Sequence, residues 1–168
     1  MSIDLLPTVA GLVGAALPSR PIDGLDLLSI LEGRLGARTP HEALFFYAGE
    51  ELQAVRSGDW KLHFAHEYLT PAGPPRSDGK PANYEHMKPA SMAESGIRGI
   101  ASRHGYKVEQ AAPALYDLRS DPGETRDVSA GHPDVVRRLQ SFAEKARADL
   151  GDALTGRKGT GVRPPGRL

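Results

Sequence analysis

The stretch from Glu42 to Glu67, EALFFYA-GEE-LQAVR-SGD-WKLHFAHE, limits what this chain can fold into more than any other. Three short runs rich in strand formers are separated by two turn-like triplets, which is the pattern of a β-meander. Ser57-Gly58-Asp59 supplies the turn chemistry of its second hairpin. Alternation along the third run puts Trp60, Leu62 and Phe64 on one face and Lys61, His63 and Ala65 on the other. One face is therefore core and the other more polar. Adjacent Phe45 and Phe46 predict a first strand covered on both faces.

The flanking sequence completes the pattern. Upstream, Asp4 is placed to cap a helix starting at Leu5, with Leu6, Val9, Ala10, Val13 and Leu17 as its apolar stripe and Gly14 and Pro18 at its end. Ile22-Asp23-Gly24 is a turn, and Asp26 caps a short helix over Leu27 to Glu32, closed by Gly33. Arg34 to Pro40 is polar connection. Downstream, periodicity disappears from Thr70 to Pro113, as in a long functional or disordered loop, with a short helix near Ala90 to Ser102 as one reading. Ala114 to Leu118 reads as a fourth strand and Asp121-Pro122-Gly123-Glu124 as a turn. Pro133 opens the last helix, Gly151 ends it, and Val135, Leu139, Phe142, Ala146 and Leu150 form its apolar stripe. Arg137, Arg138, Glu144, Lys145 and Arg147 fall on its wet face. Thr155 to Leu168, rich in Gly, Pro and basic residues, reads as an extended tail. The expected fold class is α+β: a small four-stranded antiparallel sheet packed by a C-terminal helix, with two helices before it.

Composition decides what chemistry is open. The 168 residues contain no cysteine, which excludes disulfides, thiolate metal sites and a cysteine nucleophile. Equal numbers of basic and acidic residues (21 each) leave no global field for nucleic acid or an anionic membrane. No apolar run approaches the ~18 residues of a membrane span. His66-Glu67 begins an H-E-x-x-H pattern that no second histidine completes, and there is no G-x-S-x-G elbow. Gly156 to Gly161 lacks the order of a phosphate loop. His63 and His66, three apart, are expected on opposite strand faces, a poor geometry for joint metal ligation. Acidic residues are scattered, so neither a catalytic set nor a metal site is expected on this chain.

Five short segments occur in order: Ile3 to Thr8, Ile22 to Leu28, Ala54 to Leu62, Leu115 to Leu118, and Asp121 to Glu124. Together they resemble the C-terminal third of a sulfatase of the arylsulfatase A and N-acetylgalactosamine-6-sulfatase type. Each alone is a cap, turn or strand; in this order and spacing, over roughly residues 2 to 150, they are specific.

The resemblance implies a division of the chain. Residues 1–33 would be the last part of a large α/β domain of the alkaline phosphatase type, most of which is missing. Residues 34–41 would connect, 42–150 would be the C-terminal subdomain with 70–113 as its long loop, and 151–168 a basic tail. It also implies sulfate-ester hydrolysis by the intact enzyme, with a formylglycine made in a C/S-x-P-x-R motif and a calcium ion. Neither belongs to this chain: Pro18-Ser19-Arg20 is a near-miss with Ala16 where the motif needs Cys or Ser. The chain alone is expected to be inactive, and its partner is the missing N-terminal catalytic domain. The substrate would be a sulfated small molecule or glycan, in a periplasmic or secreted enzyme. His63, His66 and Glu67 are the residues expected to border the substrate cleft. Two other readings stand beside this one: a binding module for anionic glycans, and a subunit completing a separately encoded catalytic chain.

Overall fold

A computed structural model describes residues 1–71, 77–79 and 106–162. The helix considered near Ala90 to Ser102 lies outside them. The chain divides into two compact units, Met1–Leu44 and Phe45–Leu168.

In the first unit, helix α1 spans Leu5–Val13 and α2 spans Leu28–Leu31. Asp4 does not cap α1 as expected. Its carboxylate turns inward, fully buried, and accepts from the Leu25 N–H (2.8 Å) and from His41 Nε2 (2.8 Å). Thr8 continues this tie: its hydroxyl donates to the Asp4 carbonyl (2.6 Å) and accepts from the Leu27 N–H (3.0 Å). Buried polar groups that satisfy one another across a loop fix it more firmly than a terminal cap would. The loop can lie this close only because residue 24 is glycine; a Cβ there would sit 1.9 Å from the Ile3 carbonyl oxygen. Asp26 accepts from the Leu28 N–H (2.8 Å), as its expected place before α2 requires. The side of α1 that packs within the unit carries Pro7, Thr8 and Ala10. The predicted stripe is open instead, with Leu6, Val9, Val13 and Leu17 all about half exposed or more.

In the second unit four strands, β1 (Leu44–Ala48), β2 (Glu51–Ser57), β3 (Trp60–His63) and β6 (Ala114–Asp117), form one antiparallel sheet in the order β1-β2-β3-β6. Ser57 pairs with Trp60 across a two-residue turn whose first central residue, Gly58, has φ +60°. Positive φ at that position alone is the pattern of a type II′ turn, whose twist suits a hairpin. Val55, Leu62 and Leu115 lie side by side in register, and all three are buried. Helix α3, Pro133–Leu150, crosses this face and adds Leu139, Ala143 and Ala146 to the core. Its bounds are those the sequence predicts.

Four expectations are corrected. Phe45 and Phe46 are 37% and 42% exposed, because β1 is the edge strand and α3 covers only the central strands. The segment after Thr70 is not all loop: β4 (His66–Pro71) pairs with β5 (Tyr106–Ala111) in a separate antiparallel ribbon. Arg147, assigned to the wet face, is buried, and Leu150, assigned to the stripe, is 48% exposed. The helix turns Arg147 inward because Asp152, just past its end, is buried and accepts from the guanidinium Nε (2.8 Å), while the Phe64 ring lies 4.4 Å beneath it. The tail is folded through residue 162. Strands β7 (Gly151–Asp152) and β8 (Arg157–Lys158) pair, and the N–H groups of Thr160 and Gly161 bond back to Ala148 and Asp149.

Candidate polar site on the sheet face away from the helix

The sheet face opposite α3 carries Lys61 and His63 from β3 and Tyr116 from β6. His63 is flanked in register by Ala54 on one side and Ala114 on the other. Both alanines are buried, and the Tyr116 ring meets the His63 ring edge-on at 5.5 Å. Lys61 lies 4.9 Å over the Phe46 ring.

Glu124 ties this group together. It reaches back from the turn after β6, one oxygen accepting from Lys61 Nζ (2.7 Å) and the other from His63 Nε2 (2.8 Å). Its backbone has φ +55°, the only positive value at a non-glycine residue among those described. Such a conformation costs of order 1 kcal/mol and persists only where surrounding bonds enforce it. Asp121 provides them, accepting from the N–H groups of Thr125 (2.7 Å) and Arg126 (2.8 Å).

His66 joins from β4. The expectation that it points away from His63 fails, because alternation holds only along an unbroken strand. Strand β3 ends at His63, and after two intervening residues the chain enters a different sheet. The two imidazoles therefore stack, centroids 6.0 Å apart and planes inclined by 26°. His66 is 8% exposed, and its Nδ1–H donates to the Phe64 carbonyl (2.7 Å). Glu67 does not join the pair; it accepts from Gln110, its cross-strand neighbour in the ribbon (3.1 Å).

Electrostatics follow from this packing. Burial, then the Lys61 charge, pushes His63 below its ordinary pKa, and Glu124 pulls upward without overcoming them. Burial alone would raise Glu124, but its bonds to Lys61 and His63 outweigh that and hold it below the glutamate range. Burial, then the Asp127, Glu124 and Asp121 carboxylates, pushes the Tyr116 hydroxyl up. The packing thus favours the ionised form of Glu124 and the uncharged form of the His63 imidazole.

Sequence reasoning missed Lys61, Tyr116 and Glu124. Alternation already put Lys61 on the face of His63. Nothing in Asp121-Pro122-Gly123-Glu124 marks the last residue as one that turns back to the sheet.

These residues do not suit calcium, which takes six to eight oxygen ligands. Both Glu124 oxygens are committed to nitrogen donors, and among the described residues no three His, Asp or Glu side chains converge as a metal site. Among those residues, too, no helix is long and apolar enough to cross a membrane.

Residues 39–158 match the family described as the C-terminal region of aryl-sulfatase. Arylsulfatase A of Homo sapiens is 34% identical over 163 residues, covering 92% of this chain and 27% of that protein. Steryl-sulfatase of Mus musculus is 34% identical over 164 residues, covering 88% of this chain and 22% of that protein. Arylsulfatase A of Bos taurus is 36% identical over 163 residues, with 92% and 27% covered. The chain thus spans about a quarter of the length of these relatives.

Proposed function

Because the chain belongs to the sulfatase family, as its C-terminal region, we propose that it is the closing part of an enzyme that hydrolyses sulfate esters, and that its His63–His66 face borders the substrate. The observation that carries this is the match over residues 39–158, in a chain that spans only about a quarter of the relatives it resembles.

The reacting groups belong elsewhere in that enzyme. The chain has no cysteine and no C/S-x-P-x-R motif to yield a formylglycine. Glu124, the acidic side chain that reaches the polar face, is engaged by Lys61 and His63. In this reading calcium and formylglycine are supplied by sequence outside these 168 residues, in an N-terminal catalytic domain, and no catalytic residue is assigned here. What this chain contributes is a wall: two stacked imidazoles held on a sheet whose other face is packed by α3. Sulfated small molecules are the substrate class that the names of the relatives support, with sulfated glycans proposed beside them. A periplasmic or secreted setting goes with that proposal.

Two experiments test it. The purified chain, given an aryl sulfate and calcium, should release no product above buffer; release would overturn the placement of the chemistry. The second begins with the coding DNA upstream of Met1. A frame running back through a C/S-x-P-x-R motif supports the proposal; a stop codon close upstream, behind a ribosome-binding site, counts against it. In the enzyme that such a frame encodes, His66→Ala should lower turnover about threefold to tenfold, the worth of one hydrogen bond to substrate. Unchanged turnover and KM would remove His66 from the cleft.

A further inference from the structure

We propose that Glu124 is a positioning residue that presents His63 and His66 as a pair of hydrogen-bond acceptors, so that this face receives hydroxyl groups of the substrate and not its sulfate. The ligand class rests on the cleft reading above; the role of Glu124 does not.

The argument is one of donors and acceptors. A carboxylate cannot donate, so the nitrogen of His63 that meets Glu124, Nε2, carries the proton. A carbonyl cannot donate either, so the nitrogen of His66 that meets Phe64, Nδ1, carries the proton. A neutral imidazole has one N–H. With both rings neutral, the nitrogens that no contact among the described residues takes are Nδ1 of His63 and Nε2 of His66, both lone pairs. A sulfate ester brings only acceptor oxygens to such a pair, whereas a sugar or sterol hydroxyl brings a proton. Protonating both rings would set two cations 6.0 Å apart beside the Lys61 ammonium, which opposes the change that sulfate would need.

Glu124 sets this state from one position. Its two oxygens separate the roles, one holding Lys61 and the other choosing the His63 tautomer. Lys61 and His63 on β3, His66 on β4, Tyr116 on β6 and Glu124 itself meet here, with Arg56 beside Lys61 on β2 and Asp121 and Asp127 acting on Tyr116 from beyond β6. The strained Glu124 backbone and its Asp121 support account for why the carboxylate does not swing to solvent.

The test is nitrogen-15 NMR of the histidine rings in the whole chain at pH 7.5. The expected spectrum has His63 protonated at Nε2 and His66 at Nδ1. Glu124→Ala should scramble the His63 tautomer and leave His66 unchanged. Glu124→Gln keeps the shape but offers one acceptor oxygen to two donors. With that oxygen on the Lys61 ammonium its NH2 meets His63 Nε2, so it should drive the ring to the Nδ1-protonated tautomer and, the carboxylate charge being gone, lower the protonation midpoint of His63. A wild-type His63 protonated at Nδ1, or a His63 indifferent to both substitutions in a folded chain, overturns the role of Glu124. N-acetylgalactosamine and inorganic sulfate are then titrated in separately. Ring shifts with the sugar alone support the acceptor assignment, and shifts with sulfate alone overturn it. Expected tautomers with a response to neither ligand would leave Glu124 as described and overturn the cleft reading together with the hydroxyl assignment.

Discussion

Asp152→Asn isolates one interaction in the core. The two carboxylate oxygens have separate tasks. Oδ1 accepts from the backbone N–H groups of Leu52 (3.1 Å) and Leu154 (3.0 Å), and Oδ2 accepts from Arg147 Nε (2.8 Å). Asparagine keeps a carbonyl oxygen for both amides. At the second position it turns an NH2 group toward a guanidinium, donor against donor. Two backbone bonds survive, and a buried cation loses its counter-charge. Breaking one member of a buried pair costs about 3–5 kcal/mol. Arg147 retains Glu144 at 2.8 Å, but that partner is exposed and screened by solvent, so it recovers only a small part of the loss. The expected loss is therefore about 2–4 kcal/mol, a large share of the ~5–15 kcal/mol that holds a domain together. Urea unfolding followed by Trp60 fluorescence measures it, since the chain's single tryptophan packs 4.7 Å from His132 in the same unit. Asp152→Ala should cost about 1–2 kcal/mol more, because the Leu52 N–H is buried and then has no acceptor. Arg147→Met combined with Asp152→Asn should be milder than Asp152→Asn alone, because no unpaired charge stays inside. A single-mutant loss under about 1 kcal/mol, or a double mutant no better than the single, would refute the reasoning.

The remaining expectations concern pH and the first unit. His63 titrates lower folded than its unfolded value of about 6.5, so the unfolded chain binds more protons below that pH and stability falls as the medium is acidified through it. Glu124, also depressed, adds a second loss as pH drops below about 4.3, the ordinary glutamate value. His63→Gln should flatten the upper part of the profile in urea titrations and leave the lower part; an unchanged upper slope would mean that another group carries it. Gly24→Ala should raise amide exchange at Leu25 and Leu27, about thirtyfold for a local loss of about 2 kcal/mol, because the loop must leave Ile3 and forfeit its bonds to Asp4 and Thr8. Exchange at wild-type rates would show that the loop accommodates the methyl group.

Much of the second unit was legible because its signals are local. Pro133 and Gly151 bound α3, Ser57-Gly58-Asp59 forces a hairpin, and strand alternation separates Leu62 from His63. What was hidden depends on breaks and on distant partners. The β4–β5 ribbon pairs Glu67 with Gln110 and Tyr68 with Glu109, so polar side chains take part on both its faces and no apolar alternation announces it. The His63–His66 stack arises where a strand stops, and residue spacing does not record that. Arg147 reads as a wet-face residue until the chain beyond α3 folds back and delivers Asp152. Phe45 and Phe46 read as core from their hydrophobicity, while their exposure follows from β1 lying at the edge.

The ribbon has a consequence for how such a chain can vary. It closes on Pro71 and Tyr106 and places His66 against Ala111 at its base. Whatever sequence connects those ends enters and leaves at fixed points, away from the core strands. Doubling the length of a closed loop adds only about 0.6 kcal/mol of entropic cost. Insertions and deletions between the two arms are therefore nearly neutral for the register of the sheet. A lineage could rewrite that stretch repeatedly while the strands beneath stayed as they are.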